Sequence, residues 1–137
     1  MEYTQNDVDS MALCAWKEAR GEGTYGCELV MHVMYNRVGK PGFASTLHDV
    51  IYGRNQFSSM SVPSDPEFNL QPPTGDAVYA ECLTLAAAVL AGSDDTSRGA
   101  LWYANEMNVT SGWYYDEIIS SGKHPITIHY LRHTFRA

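Results

Sequence analysis

The segment TGDAVYAECLTLAAAVL, residues 74–90, constrains the fold more than any other part of the chain. Val78, Cys82, Leu85 and Val89 recur at helical spacing on one face, and Leu83, Ala87 and Leu90 fall elsewhere around the same helix. A helix that is apolar nearly all round has to be covered on several sides, so the pattern predicts a central buried helix opened by Thr74 and Asp76. Its apolar run, 82–91, is too short to cross a bilayer, and no membrane insertion is expected.

The covering elements lie upstream. Val8, Met11, Ala12, Ala15 and Trp16 predict a helix over about 6–19, with Thr4 or Asn6 as cap and Asp7 near the positive end of the dipole. Cys27, Val30, Met31, Met34 and Val38 predict a second helix over about 24–38, closed by Gly39 and Pro41. In STLHDVIYG, Thr46 followed by Asp49 is a capping-box-like start for a short helix that ends at Gly53. Residues 54–73, rich in Pro, Ser and Asn, read as a long ordered loop, and loops of that length in compact domains are usually functional or mobile. After Gly92 the composition turns aromatic and β-branched: GALWYAN, GWYYDEII and HPITIHYLRHTF predict short strands or a hairpin. The expected architecture is one α+β domain over 1–137, mainly helical, with a small antiparallel β part toward the C-terminus.

Net charge bounds the partners. Nine Lys and Arg against sixteen Asp and Glu leave −7, which argues against nucleic acid and against anionic membrane surfaces. Cys14, Cys27 and Cys82 are odd in number, lack C-x-x-C spacing and sit at apolar helical positions, so they are expected to be free thiols packed in the core of a protein folded in a reducing compartment. The start MEYTQNDVDSMA has neither a basic opening nor an apolar run, so synthesis in the cytoplasm without a signal peptide is expected.

The residues with most chemical content lie in AWKEARGEGTYG, 15–26, where the first helix should stop. On a helical projection Glu18 falls at the border of the apolar stripe in the last turn. Desolvation and the negative end of the dipole would both disfavour its carboxylate and raise its pKa, the condition for a general acid. The bland alternative is a helix-end glutamate paired with Arg20. Glu22 is the possible second carboxylate: were the helix continuous, the two would sit roughly 5–6 Å apart at Cβ, near the spacing of a retaining glycosidase pair. Gly21 makes that continuation doubtful, and Glu22 could equally open the second helix, where a negative charge is favoured.

Other chemistries find little support. His124, His129 and His133 lack zinc-ligand spacing, there is no G-x-S-x-G elbow, and no phosphate-binding glycine loop occurs, so no metal and no cofactor is expected. NQFSS at 55–59 and LWYANE at 101–106 each combine an aromatic with an amide, the mixture that sugar binding uses and that core aromatics beside turn amides also produce.

WKEARGEGTYG at 16–26, VMYNRV at 33–38, FASTLHDVIY at 43–52, QFS at 56–58, GALWYAN at 99–105 and RHTF at 132–135 together resemble the catalytic domain of the SleB/CwlJ cell-wall hydrolase family, whose relatives include phage lysins. The resemblance implies a lysozyme-like domain that cleaves peptidoglycan glycan strands between N-acetylmuramic acid and N-acetylglucosamine, mainly as a lytic transglycosylase, with Glu18 as general acid and then base. By the same resemblance Gln56, Phe57 and Ser58 would line the cleft beside Glu18, and Trp102, Tyr103 and Asn105 would form the opposite wall. Arg20, Asn36 and Arg37 match the motif as residues that tie loops together. Glu22, Asp49 or Asp116 placed across the cleft would make simple hydrolysis possible instead, and a non-catalytic glycan-binding or virion-associated module is the further alternative. The chain departs from the pattern in its ending, HTFRA, and in the length of EMNVTSGWYYDEIISSGKHPITIHYL. A lone catalytic domain without a signal fits a phage or prophage endolysin, released to the cell wall through a separate membrane pore, and a monomer is expected.

Overall fold

The computed structural model describes residues 1–137. Helix α1 spans Gln5–Ala19 and is opened by a complete capping box: the Thr4 hydroxyl accepts from the Asp7 amide, and the Asp7 carboxylate accepts from the Thr4 amide. A single 3₁₀ turn, Arg20–Glu22, separates it from α2, Gly23–Arg37. Gly23 has φ 79°, which favours glycine, and this residue redirects the chain between the two helices. Helix α3, Leu47–Tyr52, is capped by the Thr46 hydroxyl. The loop expected over 54–73 contains a further short helix, α4, Ser58–Ser61. Helix α5, Ala77–Leu90, starts at Asp76, whose carboxylate accepts from the Tyr79 amide and from the indole of Trp16 on α1.

The helix buried nearly all round is α2, not α5. Cys27, Val30, Met31, Val33 and Met34 are fully enclosed, and even His32 and Arg37 are buried. On α5, Ala77, Ala80, Glu81, Thr84 and Ala88 face solvent. Alanine explains the difference: its single methyl raises the apolar count of α5 yet costs little when left in water. Cys14, Cys27 and Cys82 are free and buried among α1, α2 and α5.

The C-terminal part forms a three-stranded antiparallel sheet of β1, Trp102–Ala104, β2, Ile126–Tyr130, and β3, His133–Arg136, in the order β1-β3-β2. Register pairs Tyr103 with Phe135 and Trp102 with Arg136, and β2 carries an irregularity between Ile126 and Ile128. Phe135 is the buried residue through which the sheet joins the helical core. GWYYDEII is not a strand: Tyr114–Ile119 is π-helical, with the Ser120 amide bonded to the Tyr115 carbonyl at 2.8 Å. Its Trp, Tyr and Ile content fits β-propensity, but that preference is strongly context-dependent. No helix is long and apolar enough to cross a membrane.

Candidate active site

The residues of the 15–22 stretch point in five directions. Trp16 reaches the cap of α5, and the Arg20 guanidinium lies over its ring, 4.4 Å from the ring centroid. Arg20 also forms a two-pronged ion pair with Glu67, and this contact, before any other, raises the arginine and lowers the carboxylate from their ordinary values. Lys17, buried, donates to the carbonyls of Ser59 at 3.2 Å and Phe68 at 2.8 Å, clamping the 58–68 segment against α1. Glu18 and Glu22 then part company.

Glu18 sits half-buried on the wall of a cleft of about 470 Å³. One carboxylate oxygen accepts from the Ser59 hydroxyl at 2.8 Å and the other from the Tyr103 hydroxyl at 2.7 Å. Burial, then the charge of Glu18, pushes the Tyr103 phenol well above its ordinary value, so it stays protonated and keeps donating. The Tyr103 ring stacks on Phe135 at 5.5 Å between centroids, which fixes the hydroxyl's position through the sheet. Glu18 is the one carboxylate among the residues lining the cleft.

Arg37 forms the cleft's cationic floor. Its Nε donates to the Leu101 carbonyl at 2.7 Å, its Nη1 lies 3.5 Å from the Gln56 side-chain oxygen, and its guanidinium lies over the rings of Phe43 and Phe57. Burial lowers its pKa, yet no carboxylate pairs with it, and the aromatic faces supply the compensation. Asn36, one residue earlier, holds the segment leading into β1 through Asp95 at 2.9 Å and the Ala100 carbonyl at 3.1 Å. The adjacent Asn36 and Arg37 therefore fix the strand that presents Trp102 and Tyr103.

The structure brings Glu18, Gln56, Phe57, Trp102 and Tyr103 together on one cleft. It does not bring Ser58 there: that hydroxyl is exposed and donates to Asp65 at 2.6 Å, while its neighbour Ser59 reaches Glu18. The helical turn of α4 rotates successive side chains by about 100°, which separates the two serines. Asn105 lines a different depression, with Glu106, His129 and Thr134. Glu22 is also elsewhere, in a depression with Leu131 and Arg132. Its Oε2 lies 2.9 Å from His133 Nδ1 with both side chains largely buried, and its carbonyl accepts from the Tyr130 hydroxyl. Asp49 is exposed beside His48, and Asp116 is exposed on the π-helix. His124 packs on Trp102 and His129 bonds Thr134, so the three histidines serve three separate contacts. Sequence reasoning passed over Ser59, Phe43, Trp113 and Tyr114; the last three join the cleft from segments distant in sequence, with no local pattern to announce them.

The Cell Wall Hydrolase family model matches residues 21–130, with Glu18 three residues before the matched span. The spore cortex-lytic enzyme of Halalkalibacterium halodurans is 31% identical over 124 residues, covering 89% of this chain and 34% of that protein. The Bacillus subtilis spore cortex-lytic enzyme is 29% identical over 126 residues, covering 89% and 37%. The chain thus spans about a third of the length of these relatives. Among solved structures, the catalytic domain of the germination-specific lytic transglycosylase SleB from Bacillus anthracis superposes with a TM-score of 0.73 at 27% identity, covering 98% of this chain and 97% of that one. The Bacillus cereus SleB catalytic domain gives 0.72 at 26% identity, covering 99% and 93%.

Proposed function

The chain belongs to the cell wall hydrolase family, and on that premise we propose that it cleaves peptidoglycan glycan strands between N-acetylmuramic acid and N-acetylglucosamine as a lytic transglycosylase. The observation that carries the reading is the solitary carboxylate of the cleft, Glu18, held by Ser59 and Tyr103. For Glu18 to act as acid, one oxygen must carry a proton; the Ser59 hydroxyl can turn from donor to acceptor to receive it, since a hydroxyl does both. Glu18 then protonates the glycosidic oxygen, and the bond from that oxygen to the muramic C1 breaks. The muramic C6 hydroxyl oxygen bonds to C1, and Glu18, now a carboxylate, takes the C6 hydroxyl proton. A 1,6-anhydro ring forms, no water is consumed, and no second carboxylate is needed.

Hydrolysis would instead require a base placed across the sugar to activate water, or a nucleophilic carboxylate near the acid. The positions of Glu22, Asp49 and Asp116 outside the cleft favour the transglycosylase reading. Because the relatives are spore cortex-lytic enzymes, spore cortex is the first wall to try, ahead of the vegetative wall that an endolysin would meet. Mass spectrometry of digested cortex and vegetative peptidoglycan tests the proposal: anhydromuramic ends are expected. Products heavier by one water would replace the reaction with hydrolysis, and binding without any new ends would make the domain a glycan-binding module.

A further inference from the structure

Segment 112–119 carries three features that the mechanism around Glu18 does not use. Trp113 lines the cleft yet leaves 66% of its surface exposed, with no aromatic neighbour, whereas Trp102 is flanked by His124 and Phe43. Tyr114, beside it on the same cleft, has a buried hydroxyl with no hydrogen-bond partner. Burial pushes that phenol up to about 12, so it remains a donor in want of an acceptor. Tyr114 opens the π-helical turn Tyr114–Ile119, with Trp113 the residue immediately before it, and π-helical turns are rare and found often at functional sites.

A buried hydroxyl without a partner is costly to keep in a protein wall, and the exposed indole beside it offers a flat apolar face. Side by side on a cleft, they supply the flat apolar face and the polar group that a pyranose ring meets on binding. We propose that Trp113 and Tyr114 form a subsite for an N-acetylhexosamine ring of the glycan strand, the sugar lying on the exposed indole and the Tyr114 side chain turning toward the cleft on binding, so that its hydroxyl finds its acceptor on the sugar. The subsite rests on the glycan-cleaving reading above for its ligand class, and it acts in binding, apart from the proton transfers of Glu18.

The test is calorimetric titration of an N-acetylglucosamine hexamer into the Glu18→Gln chain, with and without changes in the segment. Trp113→Ala is expected to weaken binding about tenfold, and Trp113→Phe, which keeps an aromatic face, to recover most of it. Tyr114→Phe is expected to weaken binding about threefold while raising the melting temperature, because a buried unmet hydroxyl is removed. A purely structural role for Tyr114 would not give opposite signs. Affinity for Trp113→Ala within twofold of the parent, or a parent that does not bind the hexamer, overturns the subsite. Undiminished cell-wall cleavage by Glu18→Gln would overturn the acid assignment alone, since the binding arm compares the affinities of segment variants with their parent and does not depend on which group is the acid.

Discussion

The two walls of the cleft are held by different means. On the helical side Glu18, Arg37, Phe57 and Ser59 are locked by buried contacts: Lys17 clamps the segment that carries Ser59, and Arg37 is fastened to Leu101 and two aromatic rings. On the other side Trp113 and Tyr114 sit where a single π-helical turn begins, Trp113 as its cap and Tyr114 as its first residue, one ring in solvent and one hydroxyl unpaired. Groups that transfer protons must hold position to a fraction of an ångström, and so belong on packed elements. A sugar subsite, as proposed for this wall, tolerates more give, since stacking on a ring face depends less on exact placement.

The contrast breaks first at Glu18. Glu18→Gln keeps the shape and removes the proton, so wall-clearing activity should fall by about 10²–10⁴-fold, with the melting temperature little changed. A glutamine variant that clears walls like the parent would place the acid elsewhere. Next comes Tyr103→Phe, which keeps the stack on Phe135 but loses the donor to Glu18. A hydrogen bond to a charged group of this kind should cost about ten- to a hundredfold in turnover, with a smaller effect on KM, as read from rates across a range of glycan concentration.

The smallest effect should come from the staple behind the rigid wall. Asp95 accepts from Ser97, Asn36 and the Gly99 amide. Burial alone would push its carboxyl up, but these hydrogen bonds outweigh burial and hold it below the usual carboxylate range. A carboxyl depressed in the folded state contributes stability that is present above its unfolded pKa, about 4, and is lost as pH falls through the lower folded value. Asp95→Asn should therefore cost about 1–3 kcal/mol at neutral pH and flatten the fall in melting temperature on acidification below about pH 4. Melting curves of parent and variant that run parallel from pH 7 to pH 3 would show that the staple contributes nothing.

Much of the packed wall could be read from the sequence, because its signals are local. Thr4, Thr46 and Asp76 cap the helices where their side chains predict, and the apolar stripes place α1 and α2 to within a residue or two. The apolar border position of Glu18 follows from the same periodicity. What escaped depends on tertiary context. Ser58 and Ser59 are equivalent in sequence, and only the short helix α4, held by Lys17, decides which one meets Glu18. The separation of Glu22 from Glu18 depends on a single 3₁₀ turn, and the ring-bearing segment adopts a helix type for which residue preferences give no signal.

That Glu18 meets Tyr103, and that Glu22 is gripped by Tyr130 and His133, has a consequence in time. During synthesis Glu18 emerges 85 residues ahead of its hydroxyl partner, and the strand that supports this partner is completed only at Arg136. A nascent or prematurely terminated chain would thus carry its glutamate on a finished helix without the donor that aims it. The contact that aims Glu18 would form only once the last strand has closed.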